Sequence, residues 1–164
     1  MAGISEGPYP EAAECDLGWS IGMLMRHYKT QVGPCVADLP RGGRGYQLLY
    51  TVVCKAMPNQ SQLADYLGID RSVLPYVIDD LVEAGLVERQ PDPADRRARK
   101  VVATALGVET FRTLQERVTA AEEAVLTALE PAEQKQFRSL LSRLARQARD
   151  EASRSGRTAS ADDL

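Results

Sequence analysis

The chain has 164 residues, of which 44% are hydrophobic and 26% charged, and its net charge is −3 at pH 7. These values fit one globular domain with an appended oligomerisation element. No apolar run reaches the ~18 residues of a membrane helix, and residues 1–14 lack the basic start and apolar segment of a signal peptide. We therefore expect a cytoplasmic protein that has no membrane partner.

The cysteine and histidine content argues against a metal site and a catalytic centre. Cys15, Cys35 and Cys54 are odd in number and widely spaced, so they predict no disulfide framework. There is no Cys-x-x-Cys pair, and His27 is the only histidine, so no zinc site is expected. Cys15 and His27 lie about three helical turns apart and cannot touch on one straight helix. The sequence predicts no catalytic residues, no metal and no cofactor.

The N-terminal part predicts an arm followed by a helix. Residues 1–12 contain two glycines and two prolines without periodicity, which is typical of a flexible arm. Apolar residues at spacings of 4, 3 and 4 then predict a helix over 15–32, which Gly33 and Pro34 weaken or end. This apolar stripe consists of Leu17, Ile21, Leu24 and Tyr28.

The middle of the chain has the spacing of a helix-turn-helix. We predict a helix over 45–56, a short helix over 60–67, and a further helix over 71–84 with Asp70 as its N-cap. Three residues, Gly-Ile-Asp, separate the last two helices. Residues 86–89 and 99–104 predict two short strands that flank a turn, which is the arrangement of a wing. Four basic residues and one acidic residue lie between positions 95 and 100, so positive charge is concentrated there.

The C-terminal part predicts two further helices. After Thr104, apolar residues recur every three or four positions, and Glu130 and Pro131 restart the helix. Two long apolar stripes exceed what a small winged domain can cover, so a second copy of the chain is the expected partner. From position 153 onward the composition predicts a disordered tail.

Residues 62–107 resemble the multiple-antibiotic-resistance regulator (MarR) family. The resemblance is carried by QLADYLG (62–68), LVEAGLVER (81–89) and PDPADRRA (91–98). It implies a mainly α fold with a small β-hairpin wing (α+β), a winged helix-turn-helix with N- and C-terminal dimerisation helices. The domain would span 13–152, with dimerisation helices at 13–40 and 105–152 and a DNA-binding lobe at 44–104. It also implies a homodimer that binds a pseudo-palindromic operator in double-stranded DNA and is released by a small-molecule effector or by oxidation.

The resemblance assigns DNA contacts to the helix after the turn and to the wing. Arg97 would enter the minor groove with Asp95 holding its guanidinium, and the other wing cations would contact phosphates. The helix over 71–84 departs from the family pattern, because Val73 and Pro75 are apolar and Asp79 and Asp80 are acidic. We expect the apolar pair to touch thymine methyls. The full expected DNA-binding set is Ser61, Gln62, Arg71, Ser72, Val73, Pro75, Tyr76, Asp95, Arg96, Arg97, Arg99 and Lys100.

Other side chains suggest an effector pocket, in which a basic residue would anchor an acid. The candidates are Trp19, Met23, Arg26, His27, Tyr28 and Tyr46. Trp19 and Met23 fit a dimer core equally well, and Tyr76 could be a half-buried packing residue. Cys15 at a helix start is a weak redox candidate, since Asp16 opposes thiolate formation; Cys35 and Cys54 are expected to pack as small apolar residues.

The alternatives to a regulator are an enzyme, which the residues do not support, and a winged-helix module that binds protein. A repressor is the family default.

Overall fold

A computed structural model describes residues 16–55, 60–92 and 99–155. The described chain is mainly helical and contains one antiparallel hairpin, which confirms the predicted fold class. Its elements are α1 (Leu17–Val32), a 3₁₀ turn (Gly33–Val36), α2 (Gly43–Cys54), α3 (Gln60–Leu67), α4 (Leu74–Glu83), β1 (Val87–Pro91), β2 (Arg99–Ala103), α5 (Ala105–Val125) and α6 (Pro131–Ser155).

The main core lies between α2, α3, α4, the hairpin and the start of α5. The apolar stripe of α4 is buried along its whole length, as the 3.6-residue period of an amphipathic helix requires. Burying these branched side chains is the dominant stabilising contribution, at roughly 1.5–3 kcal/mol each. The side chains that build this core include Leu48, Leu49, Leu63, Leu74, Val77, Ile78, Leu81, Val87 and Phe111.

The hairpin is joined to α5 through the chain segment that follows it. In the hairpin, Val87 pairs with Ala103 and Pro91 with Arg99. The hydroxyl of Thr104 caps α5 by accepting from the Gly107 amide at 3.0 Å, and it donates to the carbonyl of Gly85 at 2.7 Å. The base of the wing and the first turn of α5 are therefore held together at one point.

The start of α4 differs from the sequence prediction. Asp70 does not cap a helix at Arg71; its carboxylate accepts from the Ser72 amide at 2.7 Å and from the Ser72 hydroxyl at 2.6 Å. These bonds hold residues 71–73 in a turn, lower the pKa of Asp70, and delay the helix to Leu74. Pro75 is consequently the second helical residue, where its missing N–H costs no intrahelical bond.

Other boundaries move by a few residues. The helix α2 spans 43–54 rather than 45–56, and α6 continues to Ser155, past the predicted start of the tail at 153. Cys35 is half-buried, whereas Cys54 is exposed at the end of α2 and does not pack as expected. Among the described residues, no helix is both long and apolar enough to cross a membrane.

Candidate nucleic-acid interface and ligand cleft

The outward face of α4 and the turn before it carry the side chains predicted to contact bases. Arg71, Ser72 and Tyr76 are exposed, and Val73 and Pro75 are half-buried. Tyr76 is 63% exposed, so it is not the half-buried packing residue of the alternative interpretation. Ser61 and Gln62 are exposed in the first turn of α3, on the other helix of the helix-turn-helix.

Arg71 is already oriented by a partner on α3. Its Nη2 lies 3.0 Å from both carboxylate oxygens of Asp65, while its side chain remains 64% exposed. An exposed pair of this kind contributes about 0–1 kcal/mol to stability. The pair matters more for geometry than for stability. It holds the Arg71 guanidinium beside the start of α4, where further N–H donors remain available to a phosphate or a guanine.

The two acidic residues of α4 have cationic partners within the fold. Asp79 accepts from Arg89 of β1 at 2.6 Å, and Asp80 forms an ion pair with Arg41 in the segment before α2. These pairs offset the negative charge that made α4 an unfavourable neighbour for phosphates. Sequence analysis predicted neither ion pair. Arg41 lies 39 positions from its partner, and no local pattern connects them.

Both strands of the wing are described, but residues 93–98 between them are not. Arg99 is exposed and Lys100 half-buried, and both lie on β2 where it pairs with the last residues of β1. Asp95, Arg96 and Arg97 lie outside the described residues, so their roles remain predictions. Cys15 also lies outside them.

A cleft of about 480 Å³ lies between α2, α3 and α5. Of the six side chains suggested for an effector pocket, Tyr46 alone lines it. Trp19, Met23, Arg26 and His27 are exposed on α1 and do not line it. The lining residues are Tyr46, Gln47, Tyr50, Thr51, Tyr66, Leu67, Gln115, Val118, Thr119 and Glu122.

A polar network lies at the α5 side of this cleft. The hydroxyl of Tyr28 donates to Oε1 of Glu122 at 3.3 Å, and Nη1 of Arg138 lies 2.9 Å from Oε2. Burial, together with the negative charge of Glu122, raises the pKa of Tyr28 to about 12. The same two causes raise the pKa of Tyr46. Both phenols therefore stay protonated at neutral pH, and that of Tyr28 donates its proton to Glu122 in a hydrogen bond.

Comparisons with known proteins match this architecture. Residues 54–98 match the model of the MarR family. Over this segment the chain resembles the MarR family, as the sequence predicts. The chain is 31% identical, over 102 residues, to a putative transcriptional regulatory protein for the hcr operon of Thauera aromatica. The match covers 62% of this chain and 61% of the relative, so the chain spans somewhat under two thirds of that relative's length.

Two solved structures of a MarR-type regulator share the fold. CouR from Rhodococcus jostii RHA1, solved with bound p-coumaroyl-CoA, is 27% identical with a TM-score of 0.71, over 83% of this chain and 96% of CouR. The repressor CouR on a 23-mer DNA duplex is 24% identical with a TM-score of 0.71, over 79% of this chain and 92% of that one, and shows the fold alone. The predicted resemblance to the MarR family is confirmed, and these relatives are transcriptional regulators rather than enzymes.

Proposed function

We propose that the chain is a homodimeric, sequence-specific DNA-binding regulator that represses its targets until a small aromatic or lipophilic ligand releases it. The observation that carries the proposal is the exposed face of the helix-turn-helix, which presents Arg71, Ser72 and Tyr76, together with a wing that presents Arg99 on β2. In this fold the second helix enters the major groove and its first turns contact base edges. The expected cytoplasmic location belongs to the same proposal.

The composition of this face indicates how bases would be recognised. Val73 and Pro75 offer apolar contact to thymine methyls, and Tyr76 offers a hydroxyl to a phosphate. Ser72 already bonds Asp70, so its hydroxyl is held at the turn before α4. Because Asp79 and Asp80 are paired with arginines, α4 can approach the phosphate backbone of DNA with less electrostatic repulsion than its sequence indicates.

Exposed apolar side chains on α1 and α6 support the homodimer. In α1, Trp19 is 58% exposed, and in α6, Leu144 is 65% exposed. Long helices with such faces need a cover, and a second copy supplies one symmetrically. This arrangement favours Trp19 and Met23 as dimer core rather than as pocket walls. The other exposed apolar side chains of the two helices are Leu17, Ile21, Leu140 and Leu141.

Introducing charge on α6 is expected to break the dimer. The double variant Leu141→Glu/Leu144→Glu would bury four carboxylates in a two-fold interface, so the dissociation constant should rise by at least about 100-fold. Sedimentation or light scattering would report a shift from dimer to monomer. The control is Ser142→Glu, which alters an exposed polar residue of the same helix. A double variant that stays dimeric at equal concentration would show that α6 is not the interface.

The function itself is tested by fluorescence anisotropy. Purified protein is titrated with DNA from its own upstream intergenic region and with an unrelated duplex, across a salt series. A regulator should prefer the first duplex by at least about 1,000-fold, and its affinity should fall linearly with salt on logarithmic axes. Weak and equal binding to both duplexes would reject the proposal and favour a protein-binding module.

A further inference from the structure

We propose that the cleft between α2, α3 and α5 binds aromatic cations, meaning a protonated amine or quaternary ammonium carried on a flat apolar group, in preference to aromatic carboxylates. The inference rests on the ligand-responsive part of the proposed function and names the ligand class. At about 480 Å³, the cleft is within the usual size of small-molecule sites.

Three tyrosine rings line the cleft, and two of them are fixed by packing. The rings of Tyr46 and Tyr50 lie 6.1 and 5.8 Å from the ring of Phe111, which is buried in the core. The face of a tyrosine ring attracts a cation through its negative electrostatic potential. The Tyr66 ring already contacts a cation within the chain, because the guanidinium carbon of Arg149 lies 5.2 Å from its centroid.

The charge of the lining residues also favours a positively charged ligand. Of the described residues that line the cleft, Glu122 alone carries a full charge at neutral pH; the others are amides, hydroxyls, phenols and apolar groups. Arg138 occupies Oε2 of Glu122, and Oε1 accepts only a long bond of 3.3 Å from Tyr28, so it can accept from an ammonium. An aromatic acid would instead face this carboxylate across a partly desolvated site.

No cation is among the described residues that line the cleft. Two guanidiniums of α6 contact lining residues from outside the lining: Arg138 pairs with Glu122, and Arg149 lies over the Tyr66 ring. Arg26 and His27, which the sequence suggests as anchors for an acid, lie on exposed positions of α1 outside the lining. The proposed ligand therefore carries the opposite charge to the acid expected from sequence.

The position of the cleft connects ligand binding to α4. Tyr66 and Leu67 are the last two residues of α3, and the turn that leads into α4 follows them directly. A ligand held between these side chains and Glu122 of α5 would bias the position of α3 relative to α5. Because α3 and α4 are packed into one core, that bias reaches the DNA-contacting face.

Two probes that differ in charge test the inference by titration calorimetry on the full chain. Tyramine and 3-(4-hydroxyphenyl)propanoate share a phenol and a two-carbon spacer, but the first is a cation and the second an anion. Tyramine should bind at least about tenfold more tightly. Glu122→Gln should remove most of that preference. Glu109→Gln, an exposed glutamate of the same helix outside the lining, should leave it unchanged. Tyr66→Leu, which removes a ring but no charge, should weaken tyramine binding.

Three outcomes would overturn the inference: equal or tighter binding of the acid, no binding of either probe at millimolar concentration, or a preference that survives both Glu122→Gln and Tyr66→Leu. Anisotropy with the upstream duplex on the same samples separates the two proposals. Sequence-preferring DNA binding without tyramine binding rejects the ligand class alone. Tyramine binding without any DNA preference rejects the regulator proposal and leaves the cleft's ligand class standing.

Discussion

Replacing Arg96, Arg97, Arg99 and Lys100 together by alanine is expected to weaken operator binding by about 1,000-fold or more. Four cations at roughly 1 kcal/mol each, acting on a polyanion, account for a loss of that size. Arg99 is exposed and pairs opposite Pro91 in the described hairpin, and Arg96 and Arg97 precede it closely in sequence. Anisotropy with the upstream duplex measures the loss, and circular dichroism checks that the fold is retained.

Single variants should separate positioning from base recognition. Arg99→Ala and Lys100→Ala should weaken binding to all duplexes alike and reduce the salt slope by about 0.9 for each phosphate contact removed. Arg97→Ala should also reduce the preference for A·T-rich flanks, because narrow minor grooves attract arginine. The matched control is Arg112→Ala, which removes one exposed positive charge from α5. If the quadruple variant binds as tightly as the parent, the wing does not contact DNA.

Gly107→Ala is expected to lower the free energy of unfolding by at least about 3 kcal/mol. A Cβ at this position would lie 1.9 Å from the carbonyl oxygen of Leu86, so α5 or the chain entering β1 must move. Alanine's higher helix propensity returns at most about 1 kcal/mol, which leaves the clash dominant. Urea unfolding followed by circular dichroism measures the change, and displacement of the wing base should weaken operator binding in parallel.

Gly43→Ala is the control for that experiment. Gly43 lies in the first turn of α2, as Gly107 lies in the first turn of α5, but a Cβ there meets nothing within 4 Å. The free energy of unfolding of the Gly43→Ala variant should differ from that of the parent by less than about 1 kcal/mol. If the two alanine variants are equally stable, the contact between Gly107 and Leu86 is not a tight constraint on the fold.

Local pattern was enough to predict most of the architecture. The 3.6-residue period places Leu74, Val77, Ile78 and Leu81 on one face of α4, and the structure buries all four. The hairpin and its position behind the helix-turn-helix follow from short strands that flank a polar turn. The family resemblance rests on the same contiguous segment, so it too was accessible without coordinates.

The start of α4 shows where local pattern is insufficient. Aspartate is a favoured N-cap residue, yet the Asp70 carboxylate accepts a hydrogen bond from Ser72 within the turn, and the helix begins at Leu74. Aspartate side chains stabilise both arrangements, and the choice between them depends on how Ile69 and Leu74 are buried in the core.

By itself, the sequence determined the resemblance to the MarR family, the order of the elements and the inward face of α4, because each depends on neighbours within a few positions. Tertiary structure decided which charges meet and what lines the cleft. Asp80 is neutralised by an arginine 39 positions away, and Tyr28 meets Glu122 across 94 positions. Such pairs form only when packed helices bring distant segments together, and no periodicity in the chain encodes them.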